Sequence, residues 1–157
     1  PSASHAESAP DAVSAEKHEV YKHQAMVDAT PAGIEFMTDL LNDWMAEAGI
    51  PRTTAVQMDI ALDEIVSNIV QYAYDDAGGM VTLLFKADAT AKEITLTFID
   101  SGKPFNPTEV EDPDTTLGLD ERTPGGLGIF LVRQGSDDMH YEYIDECNKV
   151  TIFKKYD

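Results

Sequence analysis

Apolar residues Ile34, Met37, Leu40, Leu41, Trp44 and Met45 recur at helical spacing between Thr30 and Gly49, the pattern of a helix that buries one stripe. Thr30 suits the N-cap, Pro31 the first turn and Gly49 the stop. A second helix, capped by Thr53 or Thr54, carries Ile60, Ile65, Val66, Ile69, Val70 and Ala73 and runs out before Gly78-Gly79. The period then changes to that of strands. Residues 80–86 and 93–99 read as a hairpin around a turn at 87–92, and residues 139–144 and 149–156 as another around 145–148. Residues 20–29 form a weaker first strand, and 126–133 a glycine-rich turn entering a short apolar helix. Residues 104–124, with four prolines and few large apolar side chains, read as a long loop of the kind that often serves as a lid. The Ala-, Ser- and Pro-rich start has no apolar period, so the expected organisation is a disordered leader at 1–18 and one domain at 19–157.

A chain of 157 residues with 43% hydrophobic content can bury a core without disulfides or metal. The lone Cys147 has no partner for an internal disulfide or a zinc site and reads as a small strand or turn residue. The net charge of −18 disfavours direct nucleic-acid binding, because phosphates would be repelled; it mainly confers solubility. No apolar run approaches the roughly 20 residues of a membrane span, and no signal peptide is evident, so a cytoplasmic protein without a membrane partner is expected.

Within the second helix, Glu64 and Asn68 stand four apart and share a face, and Tyr72 and Asp75 extend that stripe. A carboxylate can take a proton from a hydroxyl, and a carboxamide oxygen suits magnesium, which takes few protein oxygens and keeps waters and phosphates. Asp100 closes an apolar strand, where its carboxylate can accept from an exocyclic amine. Gly102 lets the chain turn and approach a ligand closely. Asp-Ser-Gly is equally an ordinary turn. Gly125, Gly126 and Gly128 lead into a helix amino terminus, whose free N–H groups and dipole suit phosphate. Their spacing is neither the P-loop nor the dinucleotide fingerprint. The order of these segments carries more weight than any one of them.

That order resembles the GHKL ATPase superfamily, and within it the small anti-sigma-factor serine kinases of the RsbW and SpoIIAB type. Asp63-Glu-Ile-Val-Ser-Asn-Ile-Val-Gln-Tyr-Ala-Tyr74 resembles the N box, Asp100-Ser-Gly-Lys-Pro-Phe105 the first glycine box, and Pro124-Gly-Gly-Leu-Gly-Ile-Phe-Leu-Val132 the second. The resemblance implies an α+β Bergerat sandwich, a mixed and mostly antiparallel sheet with helices on one face. It implies ATP and magnesium as cofactors, with Glu64 as general base toward a serine hydroxyl and Asn68 holding the metal. By the same resemblance Asp100 would accept from adenine with Gly102 allowing close approach, Gly126 and Gly128 would contact phosphates, and Thr151 would support adenine through water. Arg122 would neutralise phosphate charge from the lid. The implied partners are a sigma factor and a STAS-type antagonist protein, with a homodimer as the common assembly.

One departure is Tyr72, where many relatives carry His in the N box. Two functions are open to such a chain: a serine kinase that switches partners, or a non-catalytic module in which ATP gates protein binding. A sensor histidine kinase is set aside, since His5, His18 and His23 lie in the leader or first strand rather than on a helix pair.

Overall fold

The computed structural model describes residues 19–109 and 126–157. Its strands are β1 (Val20–Asp28), β2 (Met80–Asp88), β3 (Glu93–Asp100), β4 (Asp138–Ile144) and β5 (Cys147–Lys155), in the sheet order β1-β2-β3-β5-β4. Every pairing among the described residues is antiparallel, so the sheet is simpler than the mixed one implied by the resemblance. Its helices are α1 (Pro31–Glu47), α2 (Arg52–Asn68) and α3 (Gly126–Gln134). Alternation along the strands turns Val81, Leu83, Phe85, Ile94, Leu96, Phe98, Val150 and Ile152 toward the helices, where all are buried. Met37, Leu41 and Met45 of α1 and Met58, Leu62 and Ile65 of α2 complete that core. The result is two layers, helices over one face of an α+β sheet.

Thr30 caps α1 as its sequence position predicts: its hydroxyl accepts from the Gly33 N–H at 3.0 Å, and Pro31 fills the first turn. The second helix starts differently. Pro51, in extended conformation, is the N-cap of α2 and offers no side-chain bond, while Thr53 and Thr54 lie inside the first turn, Thr54 buried. Among the described residues no helix is long and apolar enough to cross a membrane.

Two local features decide which side chains reach the end of α2. The first is a π-helical turn, Ile69–Ala73, that directly continues that helix. It takes up an extra residue and breaks the 3.6-residue period. The helix ends there, Tyr74 being extended, so Asp75 lies beyond it and the expected stripe stops short of that residue. Tyr72 is exposed and stacks on Phe105, ring centroids 5.4 Å apart, and exposed Asp75 accepts from the Ala77 N–H at 3.0 Å.

The second is the β4–β5 hairpin. Its turn is only two residues, Asp145 and Glu146, both with positive φ (55° and 61°), and Ile144 pairs with Cys147. The broader turn expected at 145–148 is thus a tight one. Cys147 and Asn148 belong to the strand, and Asn148 lies opposite Asp100 on β3.

Candidate functional site

A narrow cleft opens between the end of α2 and the sheet, lined by Ile65, Asn68, Ile69, Ala73, Asp100, Phe105, Pro107, Asn148 and Val150. Its space is about 270 Å³ including the open mouth, and little of that is wider than a water molecule. Asn68 and Asp100 converge here from different elements, at 8% and 4% exposure. Burial pushes the Asp100 carboxyl above its ordinary value, only partly offset by hydrogen bonds from Asn148 and the Gly102 amide. Both bonds, each 2.9 Å, end on Oδ1. Oδ2 takes neither, which leaves it for a donor from a ligand.

Glu64 stands one turn before Asn68 and faces the start of α3. A methyl group on Gly128 would fall 1.9 Å from Glu64 Oε1, so the glycine is what lets the carboxylate sit against that helix. Gly126 is the first residue of α3, and Gly128, two residues on, is the one against which Glu64 lies. Burial, with a smaller contribution from the Asp63 charge, raises the Glu64 carboxyl above its ordinary value. Asn68 and Asp100 thus line the cleft, while Glu64 and Gly128 face each other one helical turn away and are not among its lining residues. Arg122 lies outside the described residues.

Gly102 lies against the end of the π-helical turn. Its missing side chain makes room for the Ala73 backbone, with the carbonyl oxygen 2.3 Å from where a methyl would sit, and Lys103 N–H donates to that carbonyl at 2.8 Å. The first glycine box thus clamps the π-helical turn. Tyr74 helps: its hydroxyl accepts from the Ser101 N–H at 2.9 Å and donates to the Met80 carbonyl at 2.6 Å.

Thr151 is not at the cleft. It pairs with Thr97 across the sheet, their hydroxyls 3.4 Å apart, on the face opposite Val150 and Ile152. The strand alternation that buries Val150 turns Thr151 away from Asp100. The residue beside Asp100 is Asn148, 2% exposed. A wide turn at 145–148 would conceal it, because a loop residue has no register with β3. Arg133, near the end of α3, donates to the Thr108 carbonyl at 2.6 Å and holds the 3-10 turn Pro107–Glu109 at the rim of the cleft.

The polar groups here suit a phosphorylated ligand with a nitrogenous base: an acceptor in a buried cleft, a carboxamide oxygen, and a glycine-started helix. Among the described residues no three His, Cys, Asp or Glu side chains gather to hold a cation. A divalent ion at Asn68 would need ligand oxygens from a bound phosphate, the habit of magnesium.

Comparison with known proteins gives the family and the fold. The family described as histidine kinase-like ATPase domain matches residues 27–154. A serine/threonine-protein kinase, BtrW, from Bordetella bronchiseptica is 28% identical over 95 residues, 60% of this chain and 66% of that protein. The serine-protein kinase RsbW of Bacillus mycoides is 31% identical over 101 residues, 62% of this chain and 61% of that protein. The matched region thus spans just under two thirds of each relative's own length. A crystal structure of the RsbU and RsbW domains of a Mycobacterium tuberculosis protein shares the fold, with a TM-score of 0.61 at 16% identity over 86% of this chain and 32% of that one. With the family match covering most of its length, the chain belongs to the histidine kinase-like ATPase family, the GHKL superfamily that its three motifs resemble.

Proposed function

We propose that this domain is a serine-protein kinase of the anti-sigma-factor type, which uses ATP and magnesium to phosphorylate a small STAS-type antagonist and so switches a sigma factor between partners. The observation that carries the proposal is the placement of Glu64 against Gly128: a carboxylate with raised proton affinity lies where a glycine-started helix offers amides to phosphate. Both kinases named above lend support, since they are similar across the same region.

In this reading Glu64 takes the proton from the acceptor serine as the hydroxyl oxygen attacks the γ-phosphorus of ATP, the bond from that phosphorus to the bridging oxygen breaks, and ADP leaves with the bridging oxygen. Asn68 would offer its oxygen to a bound magnesium ion, and Asp100 Oδ2 would accept from the adenine amine. Amides of the α3 first turn, including those of Gly126 and Gly128, offset phosphate charge, and Arg122 is assigned the same task. Magnesium supplies charge neutralisation across the phosphates when bound. Catalysis here is mainly positioning and electrostatics, with the base removing one proton.

The test is incubation of the purified chain with labelled ATP, magnesium and candidate STAS-type proteins, followed by mapping of the modified residue. Phosphoserine on one of them supports the kinase. ATP and antagonist binding without transfer points instead to an ATP-gated binding module.

Thr151 has no part in this scheme. Thr151→Val is expected to leave ATP affinity unchanged by calorimetry and stability within about 0.5 kcal/mol, as for substitutions away from special features. A marked loss of affinity would return Thr151 to the site.

A further inference from the structure

Every polar atom of the Asn148 side chain is engaged. Nδ2 donates to Asp100 Oδ1 at 2.9 Å and to the Lys103 carbonyl at 2.8 Å; Oδ1 accepts from the Phe105 N–H at 3.0 Å and from the Tyr141 hydroxyl. Two of these partners are backbone groups of fixed polarity. The Lys103 carbonyl can only accept and the Phe105 N–H can only donate, so they decide which end of the carboxamide is nitrogen. The group that Asn148 turns on residue 100 is therefore an N–H. Gly102 N–H reaches the same Oδ1 at 2.9 Å. Under two donors, Oδ1 is an obligate acceptor, and only the other terminal atom of residue 100 is presented to the cleft.

We propose that Asn148 is a positioning residue, which together with the Gly102 amide holds Oδ1 of residue 100 and so fixes which terminal atom of that residue faces the 6-position of a purine. This rests on the reading of Asp100 as the base-recognition residue. With aspartate at 100 the presented atom is a carboxylate oxygen, an acceptor that matches the 6-amino group of ATP. With asparagine at 100 the same two donors would hold Oδ1 in place and present Nδ2, a donor that matches a 6-oxo group. The orientation comes from the backbone at 103 and 105, carried to residue 100 through Asn148. A side chain without fixed polarity at 148 would leave Gly102 N–H alone to orient an amide at 100.

The probes are ATP and ITP, which differ on the base edge at the 6-substituent and the N1 proton that accompanies it. Their affinities are measured by calorimetry with magnesium for wild type, Asp100→Asn, Asn148→Ala and the double variant, with circular dichroism to confirm folding. Wild type is expected to prefer ATP. Asp100→Asn should move the ATP-to-ITP ratio toward ITP by about tenfold or more, as for exchange of a made for an unmade buried hydrogen bond. In the double variant that shift should shrink severalfold. The same shift with and without Asn148 overturns the proposal. If Asp100→Asn moves the ratio not at all, the base-reading role of Asp100 falls and the proposal with it, a result distinct from the first. Should Asn148→Ala not fold, Asn148→Thr decides by the same criterion, since its hydroxyl can either donate or accept.

Discussion

Glu64→Gln is expected to lower the rate of phosphoryl transfer by about 10²-fold or more, the range of general-base catalysis, while ATP affinity stays nearly as in the wild type. The substitution keeps the shape that packs against Gly128 and removes only the capacity to take a proton. The pH profile gives the sharper signature. Burial and the Asp63 charge hold the Glu64 carboxyl above the ordinary glutamate value, and the base is the ionised form. Activity is therefore lost as pH falls through that raised value, about tenfold per unit below it, so the acid limb lies above the ordinary glutamate range. Stability has the opposite sign. A carboxyl that binds its proton more tightly when folded favours the fold at low pH, and that contribution is lost as pH rises through the raised value. Glutamine carries no such burden, so the variant should melt no lower than wild type at neutral pH, and its slow turnover cannot be ascribed to unfolding. Single-turnover assays across pH with calorimetric ATP titration make the check. An unchanged rate, or a loss that tracks ATP affinity, would remove Glu64 from the base role.

The parts of this site that are legible in the sequence are those set by strong local signals. Glu64 and Asn68 share a helix face because the 3.6-residue period holds through Asn68, and Thr30-Pro31 marks a helix start with its own chemistry. The illegible parts lie where tertiary packing overrides local pattern. The π-helical turn at Ile69–Ala73 has no distinctive composition, and its neighbours read as an unbroken helix, so periodicity carries the helix on to Asp75 although it ends at Ala73. The tight turn at Asp145-Glu146 puts two non-glycine residues at positive φ, without the Asn-Gly or Asp-Gly signal that announces such hairpins. Register follows from turn length, and a change of face follows from register. That is why the role implied for Thr151 belongs to the wrong face of the sheet, and why Asn148 reads as loop. The charge of −18 is informative about partners but silent about the site, which rests on a few carboxylates in specific surroundings.

Gly102→Ala and Gly128→Ala should fail in different ways, although both add one methyl group beside a cleft element. At Gly102 the obstacle is main chain: the Ala73 carbonyl oxygen and carbon lie 2.3 Å and 2.6 Å from the new methyl. That carbonyl already accepts from Lys103 N–H, and Ala73 is buried at the end of the π-helical turn. Neither side can yield without parting β3 from the turn. Overpacking of this kind costs about 1–3 kcal/mol, more when backbone must move, so Gly102→Ala should lower the melting temperature by several degrees and weaken ATP binding together. At Gly128 the obstacle is the end of a flexible side chain, Glu64 Oε1 at 1.9 Å. The carboxylate can rotate outward toward solvent at little cost in stability. Gly128→Ala should therefore melt close to wild type yet lose transfer activity to nearly the level of Glu64→Gln. The double variant Gly128→Ala/Glu64→Gln should be little worse than either single one, since both disable the same group. Thermal melts and single-turnover rates on the four proteins separate the outcomes. Strictly additive losses in the double variant would mean that Gly128 acts on the phosphates alone and that its contact with Glu64 is incidental to catalysis.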